Sequence, residues 1–482
     1  MKCTTALVAM HASFADGWRP SSSATIDHDT LPVRCHMVDR RQESLCETAL
    51  ETIELSWRVQ VGELGFAEPI LDDDDRFDVY ITTEYTEGGA YVAGEGGDAD
   101  PSDGRMGQPS YMAVDPSIPR SEFAGYVAHE FNHVLQYSMD FIEPTLPVWE
   151  ATATAAEAWT LDDYKIYGDW VATFQAYPWM GLLGDSYILW DDYDIWSYHE
   201  YGAGIWILHL DETYFEGSGT GGAALWWALV QDSRDNEPDV LDAWADVTGG
   251  SWQDSLAEFV AFNLVSHDPD RRPAWVDGRD DGDWGSVPME TIWGEDLPAT
   301  VVPEYGIAQT GWVHLELPDA PEDLVVTYEG NDSIGVVLVA VDVDGNTQIE
   351  SEWPVRLDFT GAVDLAVINM GTPEFDADER LRMAPLEITM AVEPAEPEPG
   401  DTGTPDDTND TGADDNTGGT DDNAGGAGET DGGGEEGGRL EGDGDDGKAG
   451  GCSATGSAAS WAALLGLMAA ARRREGTGST KR

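Results

Sequence analysis

The sequence has very little positive charge. Lysine occurs only four times in 482 residues, and lysine and arginine together number 24 against 94 aspartates and glutamates, for a formal net charge of -70. Phosphate backbones and anionic membrane surfaces repel such a chain, which excludes nucleic acid as a partner. The acidic residues extend well beyond the tail, which fits either a surface adapted to salty surroundings or general solubility.

Cysteine is also scarce, with Cys3, Cys35, Cys46 and Cys452 as its only occurrences. Cys35 and Cys46 lie close enough in sequence to close a short loop through a disulfide in an oxidising compartment. Two free thiols would give the same pattern, so the sequence leaves both interpretations open.

Long apolar runs are rare, and the clearest one lies near the C-terminus. Residues 454–471 follow Cys452 and precede the arginines at 472–474. Eighteen helical residues span about 27 Å, slightly less than the hydrocarbon thickness of a membrane, and the arginines would stay on the cytoplasmic side. The tail resembles the myxobacterial C-terminal sorting tail (MYXO-CTERM). This resemblance implies sorting machinery and a membrane as partners, processing near Cys452, and an exported protein held at the cell surface or released outside the cell.

Composition divides the chain into five segments. Residues 1–33 form a weak signal or leader region. Residues 34–285 have a globular composition, with alternating strands and an amphipathic helix over residues 46–66 followed by a mainly helical half. Residues 300–393 predict an antiparallel β-sandwich without catalytic features. Residues 394–450 predict a disordered acidic linker, because they have almost no apolar side chains to bury, and residues 451–482 contain the sorting or anchor signal. We therefore expect an α+β fold with two folded domains and a disordered tail.

The stretch AHEFNHVLQY contains the strongest chemical signal. His129 and His133 lie four residues apart, so a helix places both imidazoles on one side, where they can bind one metal ion. Glu130 lies beside them and can act as a general base toward a water at that ion. The pattern therefore predicts a zinc site, whereas two ordinary helical histidines are the alternative.

A third ligand must come from outside this helix. Pro147 suits the first turn of a second, antiparallel helix, and Glu150 then lies at about the level of the two histidines. Glu157 lies two turns further along and would hydrogen-bond a ligand histidine or another polar group. If the second helix begins later, the two glutamates exchange roles, and the sequence leaves that alternative open.

The same region resembles a known enzyme family. HEFNHVLQY followed by VWEATATAAEAW is similar to the HEFxHxxQ and W-x-E-x-x-A-x-W-x-E pattern of gluzincin-type zinc metallopeptidases, nearest to a myxobacterial (MXAN-type) metalloprotease family. The resemblance covers about residues 34–280. It implies a zincin-like lobe, one zinc ion on His129, His133 and Glu150, Glu130 as base, and a peptide or protein substrate. Ala155 replaces an aromatic residue of the pattern, and the spacer before Glu150 is short.

Two further residues are candidates for stabilising the oxyanion. In the wider clan a tyrosine or histidine of a later helix often has this role, and Tyr201 or His199 could supply it here. A tyrosine packed in the core with its hydroxyl satisfied is the alternative.

Two acidic loops suggest a possible calcium site. Residues 72–75 are four consecutive aspartates, and Asp98, Asp100 and Asp103 follow in a second loop. Clustered carboxylates can bind Ca²⁺, but neither loop follows a complete calcium-binding pattern, so solvated loops are the alternative.

The function predicted from the sequence is a secreted or cell-surface zinc metalloendopeptidase. Two alternatives remain: a non-catalytic surface protein on a zincin scaffold, and an adhesin whose β-rich region does the binding.

Overall fold

A computed structural model describes residues 19–393, apart from residues 87, 164, 232, 274–275, 277–287, 332, 373–374 and 379–380. The predicted linker, the sorting signal with Cys452 and most of the leader lie outside the described residues. Within them the chain contains both helices and sheets, so the predicted α+β class is confirmed.

The N-terminal part forms a five-stranded mixed sheet. Its order is β1-β2-β3-β5-β4, with β2, β3 and β5 parallel and the two edge strands antiparallel. The strands β3 and β5 are buried throughout, as expected for parallel strands in the interior of a sheet. The strands are β1 (Ala24–Asp27), β2 (Val33–Met37), β3 (Phe77–Ile81), β4 (Ala90–Gly94) and β5 (Ser110–Val114).

The first helix departs from the sequence prediction in its second half. The helix α1 (Glu43–Ser56) continues without a break into a π-helix over Trp57–Glu63. Within that segment Gln60 is fully buried, and its amide nitrogen donates to the carbonyl of Ala128 and to Thr160. The prediction of a regular amphipathic helix to residue 66 is therefore wrong at its end, because a polar residue here points into the core.

Among the described residues, nine helices lie between the N-terminal sheet and the β-rich region. They are α2 (Phe123–Met139), α3 (Leu146–Leu161), α4 (Lys165–Gln175), α5 (Ser186–Tyr193), α6 (His199–Gly202), α7 (Gly204–Tyr214), α8 (Gly221–Leu229), α9 (Val240–Thr248) and α10 (Trp252–Val265). One apolar core runs from the sheet through α2 and α3 to α10. No helix among the described residues is both long and apolar enough to cross a membrane.

The β-rich region contains two further sheets, ordered β11-β10-β13-β8-β6 and β12-β9-β14-β7. All their pairings are antiparallel except β6 with β8. Alternate residues of both sheets share one apolar core, and the other face of β10 and β13 continues the core around α10. The strands are β6 (Met289–Thr291), β7 (Ala299–Val301), β8 (Trp312–Ala320), β9 (Leu324–Glu329), β10 (Gly335–Asp342), β11 (Thr347–Glu350), β12 (Val355–Arg356), β13 (Gly361–Gly371) and β14 (Glu387–Val392).

Candidate metal centre

The helices α2 and α3 form an antiparallel pair that carries the site. His129 faces Glu157 and Glu150, whereas Gln136, two turns later in α2, contacts the carbonyl of Trp149. The order of contacts thus runs in opposite directions along the two helices. Pro147 lies in the first turn of α3, where its missing N–H costs no hydrogen bond.

This pairing brings His129, His133 and Glu150 together. One ligand atom from each residue lies within 4.8 Å of the other two, and all three residues are buried. Oε2 of Glu150 is 3.1 Å from Nε2 of His129 and 3.4 Å from Nε2 of His133. Among the described residues this is the only group of three or more potential ligands that converges in this way, and it could hold a metal ion.

The donor atoms fit a metal ion of the zinc type. Two imidazole nitrogens and one carboxylate oxygen form a mixed nitrogen and oxygen set, which suits Zn²⁺ better than the oxygen-only preference of Ca²⁺ or Mg²⁺. Nε2 of His133 is buried and has no hydrogen-bond partner in the described part of the chain. A buried polar atom without a partner is costly, and a metal ion would satisfy it.

The charges within this group are strongly coupled. Burial by itself lowers the pKa of His129, but the carboxylates of Glu150 and Glu157 outweigh that effect and raise it to about 10. Burial raises the pKa of Glu150, but His133 and His129 outweigh it and lower the pKa to about 2. A divalent ion would have to displace a proton from this arrangement, which couples metal affinity to pH.

Glu130 lies beside the three candidate ligands, and no hydrogen bond in the described part of the chain joins it to them. Its Oε1 is buried and has no hydrogen-bond partner among the described residues. Burial raises its pKa to about 7, against the opposing influence of the imidazoles of His133 and His129. A carboxyl group whose pKa lies near 7 can take up and release a proton at physiological pH.

The two glutamates of α3 occupy different positions. Glu150 contacts both histidines through Nε2, whereas Oε2 of Glu157 lies 3.6 Å from Nδ1 of His129, on the far side of that ring. This is the position expected for a carboxylate that orients a ligand histidine.

Sequence reasoning did not give Gln136 a role, yet this residue orients His133. Its amide nitrogen contacts Oδ1 of Asn132 and the carbonyl of Trp149 at 2.9 and 3.0 Å, and Oγ1 of Thr152 at 2.6 Å. Because each of these neighbours offers an acceptor oxygen, the NH2 group of Gln136 faces them. The amide oxygen Oε1 is therefore the atom that faces Nδ1 of His133, at 2.6 Å. In the neutral ring Nδ1 therefore carries the proton, and Nε2 is the nitrogen whose lone pair can bind a metal ion.

This contact belongs to a buried hydrogen-bond network that joins four helical segments, namely the π-helix, α2, α3 and α8. Nδ2 of Asn132 donates to Oε1 of Gln60 on the π-helix, and Oδ1 of Asn132 accepts from Gln136. Trp226 of α8 donates to Thr152 from the other side. In the sequence, only the Q of the HEFxHxxQ pattern indicated this network, because the other residues of the network are dispersed along the polypeptide.

The two oxyanion candidates occupy different surroundings. The ring of Tyr201 stacks on His129 with centroids 5.7 Å apart, and burial keeps its pKa well above the ordinary value. His199 instead hydrogen-bonds through Nε2 to the carbonyl of Gly181 and packs against Phe174 in the core. Burial lowers the pKa of His199 to about 4, so it is neutral at physiological pH.

Neither acidic loop, both of which the structure describes, brings three or more potential metal ligands together. In the first loop Asp72 and Asp74 pair with Arg19 and Arg34. In the second, the charge of Asp98 is balanced by Arg234, that of Asp103 is balanced by Arg105, and Asp100 accepts hydrogen bonds from Ser102. The structure therefore adds no support to the prediction of calcium binding.

Cys35 and Cys46 form a disulfide. It ties β2 to the first turn of α1. The sequence left open whether these cysteines are bonded or free, and in the structure they are bonded.

No protein-family model matches the chain, and no curated protein sequence matches it either. The chemistry of the site therefore rests on the geometry and charge of its own residues.

Proposed function

We propose that the protein is a zinc-dependent metallopeptidase with a zincin-like lobe. The observation that carries this proposal is the buried convergence of His129, His133 and Glu150 on one point, with the carboxylate of Glu130 beside it. Such a combination of three ligands and one adjacent base is what metal-assisted hydrolysis requires.

His129, His133 and Glu150 would hold the metal ion. A bound zinc ion supplies Lewis-acid activation of water and of a peptide carbonyl. Gln136 lies against Nδ1 of His133 and Glu157 lies against Nδ1 of His129, so both imidazoles present Nε2 to the same point.

Glu130 would move the proton. Its buried carboxylate accepts a proton from the attacking water and passes it to the amine that leaves when the peptide bond breaks. Tyr201, stacked on His129, is the candidate donor to the oxyanion. The surrounding burial excludes bulk water and strengthens both interactions.

The proposed location is outside the cytoplasm. A disulfide between Cys35 and Cys46 suits an oxidising compartment. The resemblance of residues 451–482 to a sorting tail implies attachment at the cell surface, and the acidic residues 394–450 would hold the folded part away from the membrane as an extended spacer. The β-rich region would be a sandwich-like accessory domain.

The test compares zinc content and peptide cleavage in the wild type and in Glu130→Gln. We expect about one zinc per chain in both proteins and a loss of cleavage of at least about 100-fold in the variant, because proton transfer contributes about 10²–10⁴ to such reactions. Glu122→Gln, which removes a carboxylate at the start of the same helix, is the matched control and keeps its activity.

Zinc bound by a wild-type protein that cleaves no member of a broad peptide library would overturn the proposal. That result would favour the non-catalytic surface protein, with zinc as a structural element of the scaffold.

A further inference from the structure

A cavity of about 350 Å³ lies at the N-terminal end of α3. Its walls come from the start of α3, from α5 and from a segment that precedes β14. The lining combines apolar side chains with carboxylates: Leu146, Pro147, Leu183, Ile188, Leu381, Asp185, Asp191 and Asp378. We call it the α3–α5 cavity.

The α3–α5 cavity adjoins the metal centre. Pro147 lies one helical turn before Glu150, or about 4.5 Å along the axis. On the α5 side, the backbone N–H and the hydroxyl of Ser186 both donate to Glu200, the neighbour of Tyr201, which stacks on His129. The separation of Pro147 in the cavity wall from Glu150 at the metal centre is one that one or two residues of an extended peptide would span, since such a chain advances about 3.3 Å per residue.

The wall of the cavity contains a carboxyl oxygen that lacks a partner within the described part of the chain. Oδ1 of Asp378 is buried and has no hydrogen-bond partner among the described residues. Burial and the nearby carboxylates of Glu143, Asp376 and Asp239 raise the pKa of Asp378 to about 7. A cation placed here would relieve that repulsion and satisfy the unpartnered oxygen.

The apolar walls restrict the kind of cation. Leu146, Pro147 and Ile188 would lie against methylene groups, and a small hydrated metal ion gains nothing from such contacts. Lysine and arginine side chains combine a long apolar stem with a positive end, and they bury the stem while the charge seeks a carboxylate. A volume of 350 Å³ is within the range that holds one such group.

We propose that the α3–α5 cavity binds a lysine or arginine side chain of the peptide substrate, next to the scissile bond. This inference rests on the proposed peptidase function and specifies its substrate class, namely basic peptides. The net charge of -70 favours the same class, because the field of the whole protein attracts cationic peptides and repels acidic ones.

The experiment uses the full-length, zinc-loaded protein and peptides that differ at one position. That position, beside the cleaved bond, carries arginine, lysine, glutamine, leucine or glutamate. We expect kcat/KM for arginine and lysine to exceed that for glutamine by at least about tenfold, the usual effect of a well-placed charge pair. In Asp378→Asn this ratio falls to near unity, and in Asp378→Lys the glutamate peptide becomes the better substrate.

Two variants control for net charge and for folding. Asp73→Asn removes one negative charge from an exposed loop outside the cavity, and it keeps the wild-type ratio. Asp191→Asn changes an exposed lining residue, so it lowers the ratio without disturbing the core. Thermal unfolding of each variant shows that the fold is intact.

Binding gives a second readout that does not depend on turnover. The arginine and glutamine peptides, labelled with a fluorophore, are titrated with the Glu130→Gln protein and with the same protein carrying Asp378→Asn. We expect the arginine peptide to bind at least tenfold more tightly, and this difference to disappear with Asp378→Asn.

The outcomes separate the two proposals. Cleavage without a preference for basic residues overturns the cavity assignment and leaves the peptidase function. Binding that depends on arginine and Asp378, without any cleavage, overturns the peptidase function and supports the cavity assignment. The absence of both cleavage and binding overturns both.

Discussion

Nδ1 of His133 donates a hydrogen bond of 2.6 Å to Oε1 of Gln136, one turn further along the same helix. The amide group of Gln136 is itself fixed by contacts to Asn132, Trp149 and Thr152. The tautomer of His133 is thus determined by a residue that does not reach the metal position. A metal-binding histidine held in this way loses less freedom when the ion binds.

Replacing Gln136 by leucine should weaken metal binding. The variant leaves Nδ1 of His133 without its acceptor, so the ring can rotate or change tautomer, and we expect the Kd for zinc to rise by about 10–100-fold. Competition with a chromophoric chelator measures this. Gln136→Glu retains an acceptor for Nδ1 and should bind zinc more tightly than the leucine variant. Equal affinity of the leucine variant and the wild type would show that the contact has no orienting role.

The two glutamates of α3 should differ in their effect on zinc content. Glu150→Ala removes the oxygen that lies between both histidines, so we expect the purified variant to contain little zinc. Glu157→Ala removes only the neighbour of Nδ1 of His129, and we expect it to retain close to one zinc per chain with about tenfold weaker affinity. Elemental analysis after dialysis distinguishes the two, and the reverse result would assign the ligand role to Glu157.

Tyr201→Phe should lower kcat with little change in KM. Its hydroxyl is proposed to act on the oxyanion, which forms only during the reaction, and loss of one such donor costs about 10²–10³ in kcat. Tyr198→Phe is the matched control, because its ring packs against Tyr201 with centroids 5.8 Å apart. A comparable loss in both variants would indicate a packing role, and a rise in KM alone would indicate substrate binding.

His209 should make folding stability depend on pH. Burial lowers its pKa to about 3, and Nε2 has no hydrogen-bond partner in the described part of the chain. The unfolded chain takes up a proton near pH 6.5, whereas the folded protein stays unprotonated at this site, so acid favours unfolding. The contribution of His209 to the free energy of unfolding is complete above pH 6.5, and it is lost progressively as the pH falls toward 3. Between pH 7 and pH 5 the loss is about 2 kcal/mol.

His209→Phe removes this effect, since phenylalanine does not titrate and can stack on Phe262 as the imidazole does. Urea unfolding of both proteins at pH 7 and at pH 5 gives the change in the free energy of unfolding for each. Subtracting the change in His209→Phe from that in the wild type cancels the pH dependence that the two proteins share. An equal loss of stability in both proteins would show that His209 is protonated without cost in the folded state.

Much of the metal centre could be predicted because its first two ligands are local. His129 and His133 share a helix, and four residues of spacing place them on one side whatever the rest of the chain does. The helix prediction after Ser56 failed for the opposite reason. Gln60 bonds to Ala128 and Thr160, about 70 and 100 residues away, and no periodicity within the first helix indicates those partners.

By itself, the sequence determined the α+β class, the pair of histidines with its neighbouring glutamate, and the spacing that allows Cys35 and Cys46 to bond. These features depend on residues a few positions apart, where helical and strand geometry leave little choice. Only the tertiary structure decided that Glu150 rather than Glu157 joins the histidines, that Gln136 orients His133, and that three distant segments enclose one acidic cavity. Each of these depends on how one helix is displaced and rotated against another, and packing across the whole core sets that displacement.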